Sequence, residues 1–421
     1  MNHLTLFLIM VSGLTQAAPT PLEDLIRIAV ENSPTLRQAR LKKEAAVLKE
    51  ANAHSALLPS LDVSVGVGLI NQSPAGGADP WQSSLGMTLT ENLYDNGTSL
   101  TRIESAKLQE ALSELDWQRA RDQLTLDVIQ TFNQLSLQTL LLAVSNEQFE
   151  TLKKQFEIVS TQYRQGLKTR KDFLRLNSQM QRTKMDVLSA ETSVTKARND
   201  LARILAIPLS AEIQPIPAAK PAQFAGPTPP LEKTFEARMA VLQNQINDLE
   251  VKLEQRKNRP QLNLTAGLNY SNTNYLGSAQ SFTATQGVNG NLLLGLNYNI
   301  LDWGVRSRNV AVARASADLE AARQQDTLLS LQSSILSLMK YVAQMRLSAK
   351  TSQELLALET ETYTVIRRDY ADGAVSYLDL VTSLNNLLSA RVQALTTAFT
   401  LSDLEAKTLY YGGNLYETTS H

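Results

Sequence analysis

Tyr163-Arg164-Gln165-Gly166, followed six residues after its glycine by Asp172, occurs again as Tyr370-Ala371-Asp372-Gly373, followed six residues after its glycine by Asp379. Each stretch interrupts a long helix-forming sequence. Between Thr98 and Ile207 there is no proline and a single glycine, Gly166; between Val305 and Tyr411 there is again no proline and a single glycine, Gly373. Glycine tolerates φ > 0, so a lone glycine in such a run marks a place where the chain can reverse. Each stretch therefore reads as the tip of a long helical hairpin, at residues 163–167 and 370–375.

The tips belong to an internal duplication, the feature to seek first because it governs the whole fold. Gly166 and Gly373 lie 207 positions apart (373 − 166), as do Gly97 and Gly304, and Asp172 and Asp379. Asp95-Asn96-Gly97 and Asp302-Trp303-Gly304 match at the same offset. Pro59 and Pro260 are offset by 201, which places a six-residue difference between those prolines and the glycines. The first repeat is assigned to 18–207 and the second to 231–411, with a tail at 412–421. The linker at 208–230 holds seven of the chain's 14 prolines, too many for helix, and is expected to form an irregular equatorial belt.

Outward from the tips, each repeat has the same order. In the first, a helix at 34–57 leads to strands at 61–70 and 82–93, a helix at 98–162 and a return helix at 168–205. In the second, a helix at 235–258 leads to strands at 261–271 and 288–300, a helix at 305–369 and a return helix at 376–410. The strands show a period of two: Leu61, Val63, Val65 and Val67 alternate with Asp62, Ser64, Gly66 and Gly68, and Leu292, Leu294 and Leu296 with Asn291, Gly295 and Asn297. Leu293 breaks the pattern. Any half-buried antiparallel sheet shares such alternation. Strands of about 9 to 11 residues with one face of Asn, Ser, Thr and Gly also suit a membrane barrel with a wet lumen.

Four strands cannot close a pore, and an open sheet edge is not tolerated in lipid, so strands that span the membrane require several chains in one barrel. The long helices run to about 95 Å each. Val128, Leu135, Leu142, Phe149 and Phe156 recur every seven residues, a spacing shared by coiled-coil packing and by an ordinary amphipathic bundle. Each return helix and the helix before the strands together roughly equal the long helix between them, which predicts one continuous helix flanked by two stacked shorter ones.

Composition narrows the function. The 40 Lys+Arg and 41 Asp+Glu leave no basic surface for nucleic acid. There is no cysteine, and of the three histidines only His54 lies away from the ends, so neither a thiolate nor a histidine-clustered metal site is expected. Leu4 to Leu14 is an apolar run followed by Thr15-Gln16-Ala17, which predicts a signal peptide at 1–17 and export. No Gly-rich phosphate loop, nucleophile–base–orienter set or metal spacing points to an enzyme, and no cofactor is expected.

The duplicated order resembles the TolC family of outer-membrane efflux and type I secretion channels. The most specific stretches are Leu57-Leu58-Pro59, Leu93-Tyr94-Asp95-Asn96-Gly97, Ile300-Leu301-Asp302-Trp303-Gly304 and the two tips. The resemblance implies a mostly α chain with a transmembrane β-barrel contribution, internally duplicated. Its coiled-coil-like hairpins would form an α-barrel tunnel through the periplasm, and four strands per chain would share a 12-stranded barrel in the outer membrane of a Gram-negative bacterium. It implies a homotrimer in outer-membrane lipid, docked to a periplasmic adaptor and an inner-membrane pump or transporter that supplies the energy.

It also implies site residues. Tyr370 and Asp379 would line or brace the periplasmic constriction. Gly166, Leu167, Gly373 and Ala374 would be the tips that the adaptor grips. A basic residue that helps lock the closed state in the family is here Val375, which leaves Arg367 or Arg368 as substitutes. From the residues themselves, Asp172 reads as a helix cap, and Asp379 equally as cap or pore lining. Tyr94 and Trp303 mark a membrane interface and Trp81 the opposite one, although ordinary packing accounts for each as well. The alternative from another class is a structural periplasmic coiled-coil or adaptor protein without a pore.

Overall fold

The computed structural model describes residues 22–69, 81–208, 221, 229–257, 259–274 and 284–419. The expected signal peptide, nearly all of the Pro-rich linker, the segments joining the strands of each hairpin and the Trp81 side chain lie outside this description. In order the elements are α1 (Leu22–Asn32), α2 (Pro34–Ser55), β1 (Ser60–Leu69), β2 (Trp81–Tyr94), α3 (Thr98–Arg164), α4 (Arg170–Ile204), a 3-10 turn (Leu231–Lys233), α5 (Phe235–Arg256), β3 (Gln261–Asn274), β4 (Ala284–Asn297), α6 (Val305–Ala371), α7 (Tyr377–Tyr411) and α8 (Leu415–Thr419). Both long helices have 67 residues and both return helices 35. None of the described helices is long and apolar enough to cross a membrane.

Two terminal helices are absent from the sequence reading. α1 has only 11 residues, too short to show a long periodic pattern, yet it buries Leu25, Ile26 and Ala29. α8 lies in the expected tail and buries Leu415 completely. β4 runs 284–297, not 288–300. Its pairing stops at Asn297 because that residue faces Gln261, and the preceding Pro260 has no N–H to extend the ladder.

The chain forms two compact units that cut across the repeats. One comprises 1–38, 118–234 and 330–421; the other comprises 39–117 and 235–329. In the second, the strands form one antiparallel sheet of order β1-β2-β3-β4. The β2–β3 ladder joins the repeats, from Leu85 opposite Tyr270 to Tyr94 opposite Leu262, with a bulge between Asn92 and Tyr94. Beside the sheet, Arg256 of α5 donates to the Gly97 carbonyl at 2.7 Å and to Thr101 at the start of α3. Lys43 pairs with Glu114 and sits 5.1 Å from the Trp117 ring centre.

In the helical unit, the seven-residue stripe on α3 is only partly what packing selects. Val128 and Leu135 are buried, but Leu142, Phe149 and Phe156 are half-buried, and Val144, Leu152 and Val159 take the interior places. A straight helix drifts about 20° per heptad, so the buried row steps off a strict seven-residue repeat. Val144 packs with Leu384 and Leu388 of α7, and Leu152 and Val159 with Leu176 of α4. Polar ties lie along the same helices. Gln148 donates to Asn385 at 3.2 Å, Arg391 to Glu147 at 2.7 Å and Arg346 to Glu405 at 2.8 Å.

Buried Asn133 donates to Ser402 at 3.2 Å and to Asp403 at 2.6 Å. Burial pushes the Asp403 carboxyl up to about 6, against the Asn133 bond that lowers it. α3 and α6 end as α4 and α7 do: a residue with positive φ follows the helix, and its successor bonds back five residues. Leu167 N–H reaches the Gln162 carbonyl at 2.8 Å and Ala374 N–H that of Asp369 at 2.8 Å, past Gly166 (φ 76°) and Gly373 (φ 73°). After α7 the turn residue is Gly413, but after α4 its counterpart is Ala206, with φ 53°. The left-handed conformation costs an L-residue roughly 1–2 kcal/mol.

Two outcomes follow for thermal melting of the detergent-solubilised protein. Ala206→Gly should raise stability by about 0.5–1 kcal/mol, since relief of the left-handed strain exceeds the added glycine entropy. For Asp403, the folded pKa lies above the unfolded value of 3.8, so between about pH 4 and 6 the native chain binds more protons than the unfolded one. Stability should therefore fall as pH rises through that window, by at most about 3 kcal/mol, and Asp403→Asn should remove this slope.

Candidate functional site

The two tips are built on the same backbone plan from different side chains. In the first, Thr169 caps α4: its Oγ1 accepts from the Asp172 N–H at 3.2 Å and donates to Asp172 Oδ2 at 2.8 Å. In the second, Ser376 caps α7 with a reciprocal box. Ser376 Oγ accepts from the Asp379 N–H at 3.3 Å, while Asp379 Oδ2 accepts from Ser376 N–H at 3.0 Å and from its hydroxyl at 2.6 Å. The hydroxyl bond from Thr169 holds the Asp172 carboxyl below its ordinary value, and that from Ser376, with its N–H, does the same for Asp379. Both aspartates therefore stay ionised over the neutral range, each with its Oδ2 engaged at a helix start. The signal was legible as Thr169-x-x-Asp172 and Ser376-x-x-Asp379.

The rings around the tips differ. Tyr163 stacks on Phe173 with centres 5.1 Å apart, and Phe156 lies 5.4 Å from Phe173. In the second tip Tyr370 meets Tyr377 edge-on at 6.3 Å. Tyr377 packs on the cluster of Leu152, Val159 and Leu176, and its buried hydroxyl has no hydrogen-bond partner among the described residues. Burial raises its pKa above the ordinary phenol value. Tyr370 and Asp379 are thus held by different neighbours, Tyr377 and Ser376. Gly166, Leu167, Gly373 and Ala374 are all exposed, Leu167 to 71%. Arg367 and Arg368 are exposed as well.

At the opposite end of each long helix, the strand turns into helix through two consecutive residues with positive φ. They are Asn96 (58°) and Gly97 (75°) before α3, and Trp303 (53°) and Gly304 (81°) before α6. Asp95 caps α3 by accepting from Gly97 N–H at 3.0 Å and Ser99 N–H at 2.7 Å. Asp302 caps α6 by accepting from Gly304 N–H at 3.1 Å and Arg306 N–H at 2.9 Å. Asparagine adopts this backbone readily, but tryptophan does so under strain. Trp303 is nevertheless 82% exposed, so no burial within the chain offsets that strain; Tyr94 is 59% exposed.

The register gives the sheet one apolar and one polar face. Leu61, Val63 and Val65 sit opposite Leu89, Met87 and Leu85; these face Ala266, Leu268 and Tyr270; and Ala266 and Tyr270 face Leu292 and Val288. Within the chain Val65, Val288 and Leu292 are exposed by more than 70%. The other face carries Asp62, Ser64, Ser84, Thr88, Asn269, Asn289 and Asn291, with Leu293 as its apolar exception.

Removing the Ser376 hydroxyl isolates the tip bonds. In Ser376→Ala, amide exchange at Asp379 and Leu380 should rise at neutral pH. Because the folded Asp379 pKa is depressed, the bond's stabilisation is present above about pH 3.8 and is lost as pH falls through the lowered value. The difference between variant and wild type should close accordingly in acid.

The family of outer membrane efflux proteins matches residues 25–206 and 234–401, most of both repeats. No curated protein sequence matches significantly. Among solved structures, the chain is similar to the Campylobacter jejuni CmeC outer membrane channel, with 18% identity, coverage of 93% of this chain and 86% of that one, and a TM-score of 0.79. It is similar to VceC from Vibrio cholerae at 15% identity, 93% and 96% coverage and a TM-score of 0.78. The Neisseria gonorrhoeae MtrE outer membrane channel gives 20% identity, 94% and 89% coverage and a TM-score of 0.74. Two matched repeats, two helical tips and a sheet with an apolar outer face place the chain in the outer membrane efflux protein family, with the TolC-like channel fold.

Proposed function

We propose that this protein is the passive exit duct of a tripartite efflux pump or type I secretion system, energised by an inner-membrane partner through a periplasmic adaptor. The observation that carries the reading is the sheet. Its apolar face is uncovered over four strands, and β1 and β4 are its edges. Hydrocarbon tolerates neither a lone four-stranded sheet nor a free edge, so β4 of one copy pairs with β1 of the next. Three copies, as in the family, give a 12-stranded barrel. A coiled-coil spacer has no use for this sheet.

The polar face then lines a wet lumen, and Tyr94 and Trp303 lie at the membrane interface where aromatic girdles occur. At the other end Gly166, Leu167, Gly373 and Ala374 offer exposed backbone and small or apolar side chains to the adaptor. Tyr370 and Asp379 form the constriction, Asp379 as a brace through Ser376. With Val375 in place of a basic residue, closure rests on this packing together with Arg367 and Arg368. The pump selects the cargo, and the duct conducts what it is given.

Single-channel recording of the purified oligomer in planar bilayers tests this function. Discrete, long-lived steps are expected, with larger steps for Tyr370→Ala. An oligomer that never inserts would sink the reading, since its strands would then form an ordinary sheet.

A further inference from the structure

The four strands contain two carboxylates, Asp62 and Glu91, and no Lys, Arg or His. The register separates the two. Glu91 lies opposite Leu264 on the apolar face, one position past the last β1 partner, Thr90. Asp62 lies opposite Thr88 on the polar face, next to Ser64 opposite Gly86. The rest of that face, through Thr265, Asn269, Asn289 and Asn291, is uncharged. Asp62 is exposed, and no hydrogen bond or ion pair engages its side chain among the described residues.

We propose that Asp62 sets the cation preference of the pore. The inference rests on the channel reading above. Identical copies bring identical faces, so among the described strands every carboxylate on the lumenal face is an Asp62 and none supplies a counter-cation. Asp62 is the third residue of β1, which follows directly from the periplasmic helices, so the ring lies near the periplasmic mouth of the barrel. A ring of like charges along a shared axis attracts cations and repels anions. Asp379 has a weaker claim despite being charged. Its Oδ2 is taken by the Ser376 N–H and hydroxyl, and its field is opposed by the positive start of a 35-residue helix. Asp62 has no such compensation.

Reversal potentials in a KCl gradient measure the preference directly. Screening reaches about 10 Å at 0.1 M salt and about 3 Å at 1 M, so the low-salt condition is the informative one. The wild-type pore should favour K+ over Cl− near 0.1 M and less so near 1 M. Asp62→Asn should lose most of that preference with step size nearly unchanged, and Asp62→Glu should keep it. A preference that survives Asp62→Asn overturns the assignment while leaving the channel itself standing. Absence of any conductance removes the channel reading and this assignment together.

Discussion

In hydrocarbon no backbone N–H or C=O can be left to water, because each unpaired group costs several kcal/mol. A sheet of four strands ordered β1-β2-β3-β4 satisfies its interior ladders and leaves two edges open. Much of the molecule answers to that constraint. The repeats are bound to one another by the β2–β3 ladder, and the remaining edges are left for other copies. The uncovered apolar face is a liability for a single chain in water and an advantage in lipid. At Trp303 the chain passes from strand to helix through a strained left-handed backbone, with the indole exposed.

At the tips, the limiting requirement is to stop and restart a helix within a few residues. Both tips solve it by one backbone device, a left-handed glycine with a bond back five residues, followed by a hydroxyl cap answered by an aspartate. The backbone is duplicated, but the side chains on it have diverged. The first tip carries Arg164, Lys168, Arg170 and Lys171, whereas the second carries Asp369 and Asp372 beside Arg367 and Arg368. A duplicated chain thus presents two unlike surfaces, one basic and one mixed. An asymmetric partner can tell them apart.

The same division appears along the long helices. Asn133 and Asp403 come from different repeats, 270 residues apart, and meet where Asn133 is buried and Asp403 half-buried. Polar contacts of this kind cost free energy when imperfect, so they fix one alignment of helices that apolar stripes alone would let slide.

The sequence by itself determined the duplication, the position of both tips, the four strands and their two faces. These features are local: a glycine's tolerance of positive φ, the proline-free runs and the period-two alternation act over a few residues. The cap partners Thr169 and Ser376 were equally legible in their spacing from Asp172 and Asp379. Only the tertiary structure decided which members of the Val128 to Phe156 stripe are buried, because helix drift and the neighbours on α4 and α7 choose among them. It also decided that β2 pairs with β3, that α1 and α8 bury Leu25 and Leu415, and that Asp379 spends its Oδ2 on Ser376. Each of these outcomes depends on which distant or rival group takes a contact, and no local pattern encodes that competition.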